Sequence, residues 1–372
     1  MARWSRFFRS RRRVAAGVLV AAAALAGGLA SADRTVKLAS GPLTAARLEI
    51  HRRQAPPAPA ALQARLDELA GAYGEEVGIA VTDVEAGWTA GVDKDRPYPQ
   101  QSVSKLWVAI AVMKQADEGR LDPEATVMLT DADRSVFFQP VAYKIGADGY
   151  ATPLSDLLRR ALVESDNAAN DRLMREVGGP DGVAGILDDM GLKGVKVGAY
   201  ERDLQARTAG LVWQADYGIG WNFQAARQAL PMDARQAAMD AYLADPLDGA
   251  SPAGITGALA ALSRGELLSQ GSTQRLVGLM AQARTGPRRL KGGLPAGWTI
   301  AHKTGTGQDF RGASVGINDV GLLTAPDGRV YAVAVMMRHT RQPVPARLAF
   351  MQSVTRAVAE QWLRDEAFQT AD

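Results

Sequence analysis

The chain has 372 residues, of which 47% are hydrophobic and 22% charged, so it can bury a sizeable core in one or two compact domains. Its formal net charge is only +3 and it lacks a basic stripe interleaved with aromatic residues, so nucleic acid is not expected as a partner. The absence of cysteine excludes disulfides and thiol catalysis, and three scattered histidines, His51, His302 and His339, lack metal-ligand spacing, so no metal or other cofactor is expected.

The first 32 residues have the pattern of a secretory signal peptide. Six arginines precede an uncharged run of Ala, Val, Leu and Gly over residues 14–30, and the small residues Ala30-Ser31-Ala32 follow. The run is short for a bilayer-spanning helix, so cleavage after Ala32 is predicted, with an uncleaved membrane anchor as the alternative. Cleavage would remove six arginines and no acidic residue, which changes the net charge from +3 to −3. The mature protein is then predicted to be periplasmic or secreted and to have no stable membrane span. Paired arginines leave both the Sec and the twin-arginine export routes open.

After the leader, residues 33–60 include a proline-rich stretch and are interpreted as a linker. Helical apolar spacing follows over residues 62–72. Residues 77–84 have strand composition, and the turn Glu85-Ala86-Gly87 leads into a second strand.

The middle of the chain, residues 102–282, is dominated by helical periodicity. Strands return over residues 315–323 and 330–336, separated by a turn that contains Pro326-Asp327-Gly328. An amphipathic helix over residues 344–368 follows them.

This order predicts a two-lobe α/β (α+β) fold. Residues 61–98 and 283–372 would build one antiparallel sheet from both chain ends, with the helical residues 99–282 inserted as a second lobe. A substrate cleft is expected between the lobes.

The first candidate motif is Ser102-Val103-Ser104-Lys105. A serine and a lysine three residues apart at a helix start lie on one face, where the amine can assist removal of the serine proton. Taken alone, the pair also fits a capped, solvated helix start.

Two further motifs follow along the chain. Ser165-Asp166-Asn167 comes after a helical pattern, where a helix would end. Lys303-Thr304-Gly305-Thr306-Gly307 continues an apolar strand and would offer a cation, two hydroxyls and exposed backbone at a sheet edge. Singly, each is compatible with an ordinary turn or strand end.

In this order, Ser-x-x-Lys, Ser-Asp-Asn and Lys-Thr-Gly resemble the active site of class A β-lactamases and penicillin-binding proteins. The segment ending in Glu201-Arg202-Asp203-Leu204-Gln205 is similar to the class A Glu-x-x-Leu-Asn element, 36 residues after the second motif. Residues 62–366 share the resemblance. It implies a monomeric hydrolase of antibiotic resistance that opens the β-lactam ring of penicillins and cephalosporins through an acyl-serine intermediate.

The resemblance also implies the catalytic roles. Ser102 would attack the lactam carbonyl, while Lys105 and Glu201 share the role of base, whose division is disputed in the family. The backbone N–H groups of Ser102 and Thr306 would form the oxyanion hole. Ser165 would pass a proton to the departing ring nitrogen, and Glu201 would activate the water that hydrolyses the acyl-enzyme.

Substrate binding is implied for the remaining motif residues. Asn167 would hold the substrate amide, and the exposed backbone at Gly305 would lie along the site. Lys303, Thr304 and Thr306 would receive the substrate carboxylate. Which arginine supplements Lys303 stays open.

Three departures from the class A pattern stand out. Gln205 occupies the position of an asparagine that positions the hydrolytic water, so we expect deacylation to limit turnover. Ala199 replaces the arginine of the usual ion pair, which leaves its aspartate partner, Asp248, without that contact. Residues 206–247 are about thirty longer than the family's loop needs and carry aromatic residues that either cover the site mouth or form a satellite core.

Parts of the sequence are also compatible with three alternative functions. Gly312-Ala313-Ser314-Val315-Gly316 matches the nucleophile elbow of α/β-hydrolases, followed by Asp327 and His339, but Ser314 lies before a strand and the elbow requires a helix. A D-alanyl-D-alanine peptidase shares the three motifs but typically lacks the glutamate matched by Glu201. A β-lactam sensor would be acylated and stay acylated.

Overall fold

The structure of the protein, a computed structural model, describes residues 55–369. The predicted signal peptide, residues 1–32, lies outside the described residues, as does all of the predicted linker before residue 55.

The described chain begins with α1 (Ala60–Tyr73), β1 (Val77–Asp83) and β2 (Thr89–Val92). β1 pairs with β2 through the predicted turn and is buried along its whole length. Its two faces therefore both serve as core surfaces, since successive side chains of a strand point to opposite faces.

The middle segment is helical, with two pairs of very short strands between its helices. Its elements are β3 (Tyr98–Pro99), α2 (Lys105–Asp117), β4 (Thr126–Leu129), β5 (Tyr150–Pro153), α3 (Leu154–Arg159), α4 (Asn167–Glu176), α5 (Gly179–Asp189), α6 (Glu201–Thr208), α7 (Asn222–Ala229), α8 (Met232–Ala244), β6 (Gly249–Ala250), α9 (Pro252–Ser263) and α10 (Gln270–Ala281). β3 pairs with β6 and β4 pairs with β5, both antiparallel. The sequence does not predict these strands, because two to four residues carry too few alternating positions.

The last segment returns to the sheet. It contains β7 (Thr299–Gly305), β8 (Asp309–Phe310), β9 (Ala313–Thr324), β10 (Val330–Thr340) and α11 (Val344–Gln369). The sheet has the strand order β2-β1-β10-β9-β7, with β8 pairing to β9, and its pairings are antiparallel. β7 is thus at one edge of this sheet.

Two hydrophobic cores flank the sheet. Side chains of α1 and α11, such as Leu66 and Val354, pack with one sheet face, which includes Val333. The other face packs with the helical segment, where α2 is buried continuously from Lys105 to Met113. A helix that is apolar on all sides belongs in the interior, and α2 therefore gives the nucleophile region a rigid base. Between residues 55 and 369, no helix combines the length and the apolar character of a membrane span.

Candidate active site

The residues around Ser102 form a short connection between β3 and α2. Gln101 has a left-handed φ of +53°, which is strained for a residue with a side chain, and a 3₁₀ turn covers Gln101–Ser104. α2 consequently begins at Lys105, which corrects the sequence-based start at Ser102. The turn still brings the motif together, because Lys105 Nζ donates to Ser102 Oγ at 2.6 Å.

Lys105 is the centre of the site. Besides Ser102, its ammonium donates to Asn167 Oδ1 at 2.8 Å and to Glu201 Oε1 at 2.6 Å. The side chains of Lys105 and Glu201 are only 0% and 3% exposed. An ammonium has three protons, and each meets an oxygen here, so the buried charge is fully hydrogen-bonded.

Ser165 is presented at a break between two helices. A π-helical turn over Arg160–Glu164 extends α3, and Ser165 then takes a left-handed φ of +66°. The buried carboxylate of Asp166 accepts two backbone N–H groups, which caps α4 and holds the preceding loop. Lys303 Nζ donates to Ser165 Oγ at 2.9 Å, so the second and third motifs meet.

The third motif ends the edge strand β7. A Cβ at Gly305 would lie 2.2 Å from the backbone oxygen of Gln100, so only glycine allows β7 to approach the nucleophile segment this closely. Lys303 is fully buried, and burial together with the nearby Lys105 charge lowers the pKa of its ammonium well below the usual value.

Arg289 is a functional candidate that sequence reasoning did not identify. It donates to Thr306 Oγ1 at 2.6 Å and to the backbone oxygen of Gly305 at 2.8 Å. Burial lowers the pKa of its guanidinium. Nearby, Thr304 Oγ1 donates to Thr285 Oγ1 at 2.7 Å. No local motif marks Arg289 in its loop after α10, and only folding brings it to β7.

Glu201 begins α6, and a buried carboxylate holds this helix end. Asp171 of α4 accepts from the backbone N–H of Glu201 at 2.6 Å and of Arg202 at 3.2 Å, and from Ser135 Oγ at 2.9 Å. Burial, and then the charge of Glu201, raise the pKa of Asp171 to about 7. The sequence analysis did not identify Asp171 either, because no local pattern marks an acidic residue inside a helix as the group that holds the start of another helix.

The side-chain amide of Gln205 is held from several sides. Its Nε2 donates to Gln101 Oε1 at 2.9 Å and, at 3.4 Å, to Glu201 Oε2. Its Oε1 accepts from Gln308 Nε2 at 3.0 Å. Gln205 therefore contacts the glutamate it was predicted to assist, and it presents its NH₂ group to that carboxylate.

These groups surround a cleft of about 260 Å³. Seven of the residues predicted for the site line it: Ser102, Ser165, Asn167, Glu201, Gln205, Thr304 and Thr306. Lys105 and Lys303 are buried beside them. Phe137 and Phe138 add an aromatic wall. The cleft thus combines a serine hydroxyl, buried amines, a carboxylate and an anion-binding edge, the groups that acyl transfer through a serine requires.

The comparison with protein families agrees with this chemistry. The sequence model of the Beta-lactamase enzyme family matches residues 61–362. The chain belongs to this family.

Individual relatives support the assignment. The extended-spectrum β-lactamase PER-1 of Pseudomonas aeruginosa is 30% identical over 267 residues, 72% of this chain and 76% of that protein. The β-lactamase VEB-1 of the same organism is 25% identical over 282 residues, 76% and 83% of the two chains. A solved β-lactamase structure from Chitinophaga pinensis DSM 2588 aligns with a TM-score of 0.66 at 27% identity, over 81% of this chain and 98% of that one.

The family assignment confirms the resemblance to class A β-lactamases and the two-lobe fold with its antiparallel sheet. The chain is a serine β-lactamase, and its reaction is the hydrolysis of the β-lactam ring. The peptidase and sensor alternatives lose their support accordingly.

The long insertion of this family member builds small cores of its own. Phe223 of α7 packs against Tyr217, and its ring lies edge-on to that of Phe137 at a centroid distance of 5.2 Å. Trp221 is 79% exposed. None of the described residues 206–247 lines the cleft, which agrees with a satellite core more than with a cover over the mouth.

The nucleophile-elbow alternative does not assemble in this fold. Ser314 lies in β9, where its hydroxyl donates to Asp309 Oδ1 at 2.5 Å and accepts from Arg347 Nη1 at 2.7 Å. Asp327 lies beyond the other end of β9 and accepts from Trp362 Nε1 at 2.9 Å. The required triad is therefore not formed.

Across the part of the chain that the structure describes, no group of three or more His, Asp or Glu side chains is arranged to hold a metal ion.

Proposed function

We propose that Ser102 is the nucleophile of this β-lactamase and that Lys105 and Glu201 serve it as bases. One observation carries the proposal: Lys105 Nζ is 2.6 Å from Ser102 Oγ and also 2.6 Å from Glu201 Oε1. The ammonium can hand a proton to Glu201, and the resulting neutral amine can accept the proton of Ser102. Both transfers occur across existing hydrogen bonds.

Acylation follows from this arrangement. Ser102 Oγ forms a bond to the lactam carbonyl carbon, and the developing oxyanion is stabilised by the backbone N–H groups of Ser102 and Thr306. The carbon–nitrogen bond then breaks, and Ser165 gives its proton to the ring nitrogen. Lys303 supports this step, because its ammonium donates to Ser165 Oγ and can pass a proton to the alkoxide that remains.

Substrate binding is assigned to the edge of β7 and to α4. Thr304, Thr306 and the cations Lys303 and Arg289 receive the carboxylate beside the lactam ring. The Arg289 guanidinium supports this role through its 2.6 Å contact with Thr306 Oγ1. Asn167 lines the cleft and is oriented by Lys105, which suits it to hold the substrate amide.

Deacylation is assigned to Glu201. After acylation, solvent carries the proton held by Glu201 back to Lys303, which restores both groups. The Glu201 carboxylate then takes a proton from a water whose oxygen attacks the acyl carbon, and the ester bond to Ser102 breaks as Lys105 gives the serine a proton and regains one from Glu201. Gln205 steadies this carboxylate through its amide, in addition to the water-positioning role that the sequence predicts for it.

A chromogenic cephalosporin and a fluorescent penicillin test the assignment. The parent should hydrolyse many equivalents of cephalosporin, and Ser102→Ala should lose both hydrolysis and covalent labelling. Ser314→Ala is the matched control and should retain both, because Ser314 lies in β9 away from the cleft. Labelling that survives in Ser102→Ala would overturn the choice of nucleophile, and a parent that reacts only once would identify a sensor.

We further infer that the chain is exported, cleaved after Ala32, and active as a monomer in the periplasm or outside the cell. The arginine-rich start, the uncharged run and the small residues at positions 30–32 support export. N-terminal sequencing of the mature protein should begin within a few residues of Asp33, and gel filtration should give one chain per particle. An intact Met1 on membrane-held protein would contradict cleavage.

A further inference from the structure

The insertion sends one side chain into the interior behind the active site. Tyr242, near the end of α8, is buried and its hydroxyl donates to Asp248 Oδ1 at 2.8 Å. Asp248 Oδ2 accepts from the backbone N–H of Gln101 at 2.6 Å. Tyr242 thereby supplies the contact that an arginine makes in the usual class A pattern and that Ala199 cannot make here.

The same hydroxyl ends a continuous series of hydrogen bonds. Gln308 Nε2 donates to Gln205 Oε1 at 3.0 Å, Gln205 Nε2 donates to Gln101 Oε1 at 2.9 Å, and Gln101 Nε2 donates to Tyr242 Oη at 2.5 Å. All four side chains are buried. We call Gln308, Gln205, Gln101, Tyr242 and Asp248 the amide relay.

The amide relay can run in only one direction while Asp248 is ionised. At one end, Gln308 Nε2 also donates to the backbone oxygen of Gln205 at 2.9 Å, and a carbonyl oxygen can only accept. At the other end, an ionised carboxylate likewise only accepts, so the Tyr242 hydroxyl must donate to Asp248. Between these two ends, every amide must turn its NH₂ group toward Asp248. The orientation of each glutamine thus follows from chemistry and does not depend on distinguishing nitrogen from oxygen.

We propose that Tyr242 and Asp248 are positioning residues for deacylation. By setting the direction of the relay, they keep the NH₂ group of Gln205 toward Glu201 Oε2, where a reversed amide would present its oxygen to the carboxylate. The proposal deepens the function above, since it rests on Glu201 as the deacylating base.

Deacylation should depend on the relay more strongly than acylation does. Gln205 contacts Glu201 directly, whereas the strained backbone of Gln101 before Ser102 is held by Asp248 through a separate N–H bond. Loss of the Tyr242 hydroxyl leaves that N–H bond in place. It removes the acceptor of Gln101 Nε2, so the amides of Gln101 and Gln205 are free to turn.

Two variants and one control test this inference in the full-length mature enzyme. Tyr242→Phe keeps the ring and removes the hydroxyl. Asp248→Asn keeps the shape but adds an NH₂ group that can donate to Tyr242, which removes the fixed direction of the relay. Tyr217→Phe removes a hydroxyl from the same insertion, in the satellite core near Phe223, and serves as the matched control.

The measurements are acylation and deacylation rate constants with a chromogenic cephalosporin, expressed per active site titrated with a fluorescent penicillin. We expect deacylation to fall by about tenfold in Tyr242→Phe and in Asp248→Asn, since small misplacement of a reacting group is costly. Acylation should change by less than about threefold, and Tyr217→Phe should match the parent on both rates. The double variant should resemble the single variants, because both interrupt one network.

Several outcomes would overturn the inference. A purely structural role of Tyr242 would reduce the number of titratable sites and leave the rates per site unchanged. Additive losses in the double variant would show that the two residues act separately. If Tyr242→Phe does not fold, a parent-like deacylation rate in Asp248→Asn would still refute the relay. A parent that opens no lactam ring would refute the proposed function and this inference together, whereas an active parent with unaffected variants would refute this inference alone.

Discussion

At the scale of single residues, the buried Lys105–Glu201 pair is the centre of the proposed mechanism. Removing two charges from water is costly, and the cost is offset here because the ammonium has three oxygen partners, of which Glu201 is the charged one. The 2.6 Å hydrogen bond gives a proton a direct path between the two side chains. In the proposed mechanism, the same two residues therefore serve acylation and then deacylation.

Glu201→Gln separates those two steps. The amide can still accept from Lys105 but cannot take a proton from water, so acylation by a good penicillin should continue at a reduced rate. Deacylation should fall by roughly a hundred- to ten-thousandfold. Intact-protein mass spectrometry should then detect a stable adduct on Ser102. Hydrolysis at the parent rate would show that Glu201 is not the base.

Among the elements, the decisive contact joins the edge strand β7 to the turn before α2. The backbone oxygen of Gln100 and the Cα of Gly305 are so close that a methyl group has no space between them. The proposed oxyanion donors lie close along the chain, since Thr306 directly follows Gly305 and Ser102 comes two residues after Gln100. The width of the catalytic gap is therefore set by backbone packing, and a glycine is required for it.

Gly305→Ala should open this gap. The new methyl group must push β7 away from Gln100, and a shift of about 1 Å between reacting groups can cost on the order of a hundredfold, so kcat/KM should fall by that order. Overpacking should also destabilise the protein by about 1–3 kcal/mol in urea unfolding.

Gly278→Ala provides the control for this prediction. It adds the same methyl group in the interior of α10, where nothing lies within 4 Å of the added Cβ. This variant should be as active as the parent and equally or more stable, because alanine favours helix. A parent-like Gly305→Ala would show that β7 tolerates displacement.

For the whole molecule, the junction between sheet and helical segment encloses carboxyl groups that resist ionisation. Burial is the main cause at both Asp171, whose pKa is raised to about 7, and Asp248, whose pKa is raised to about 6. In each case the folded state holds its proton more tightly than the unfolded chain, whose usual value is 3.8. Each group therefore contributes stability at low pH that is lost as the pH rises toward its folded pKa.

Urea unfolding as a function of pH tests this linkage. The free energy of unfolding of the parent relative to Asp171→Asn should decline as the pH rises from about 4 to about 7, by a few kcal/mol, and be constant above. For Asp248→Asn the same difference should level off nearer pH 6. Because the stability differences of the two variants should level off at different pH values, each variant serves as a control for the other. A difference that is independent of pH would mean that the buried groups ionise normally.

Local sequence was sufficient to determine much of this protein. Ser102 and Lys105 are three residues apart, a spacing that already places them together in any helical turn, and the 3₁₀ start changed the helix boundary without separating them. Strand composition after Ser314 correctly excluded the nucleophile elbow. The three motifs in order indicated the family, which the comparisons confirmed.

Only the tertiary structure decided how distant residues combine. Lys105 and Glu201 are 96 residues apart in sequence, and Asp171, Arg289 and Tyr242 carry no local pattern that distinguishes them from other charged or aromatic residues. Their roles arise from burial, which leaves each polar group dependent on the few partners that packing brings within reach. For the same reason, the orientation of the Gln205 amide follows from Asp248 and a backbone carbonyl. The residues next to Gln205 in sequence do not predict this orientation.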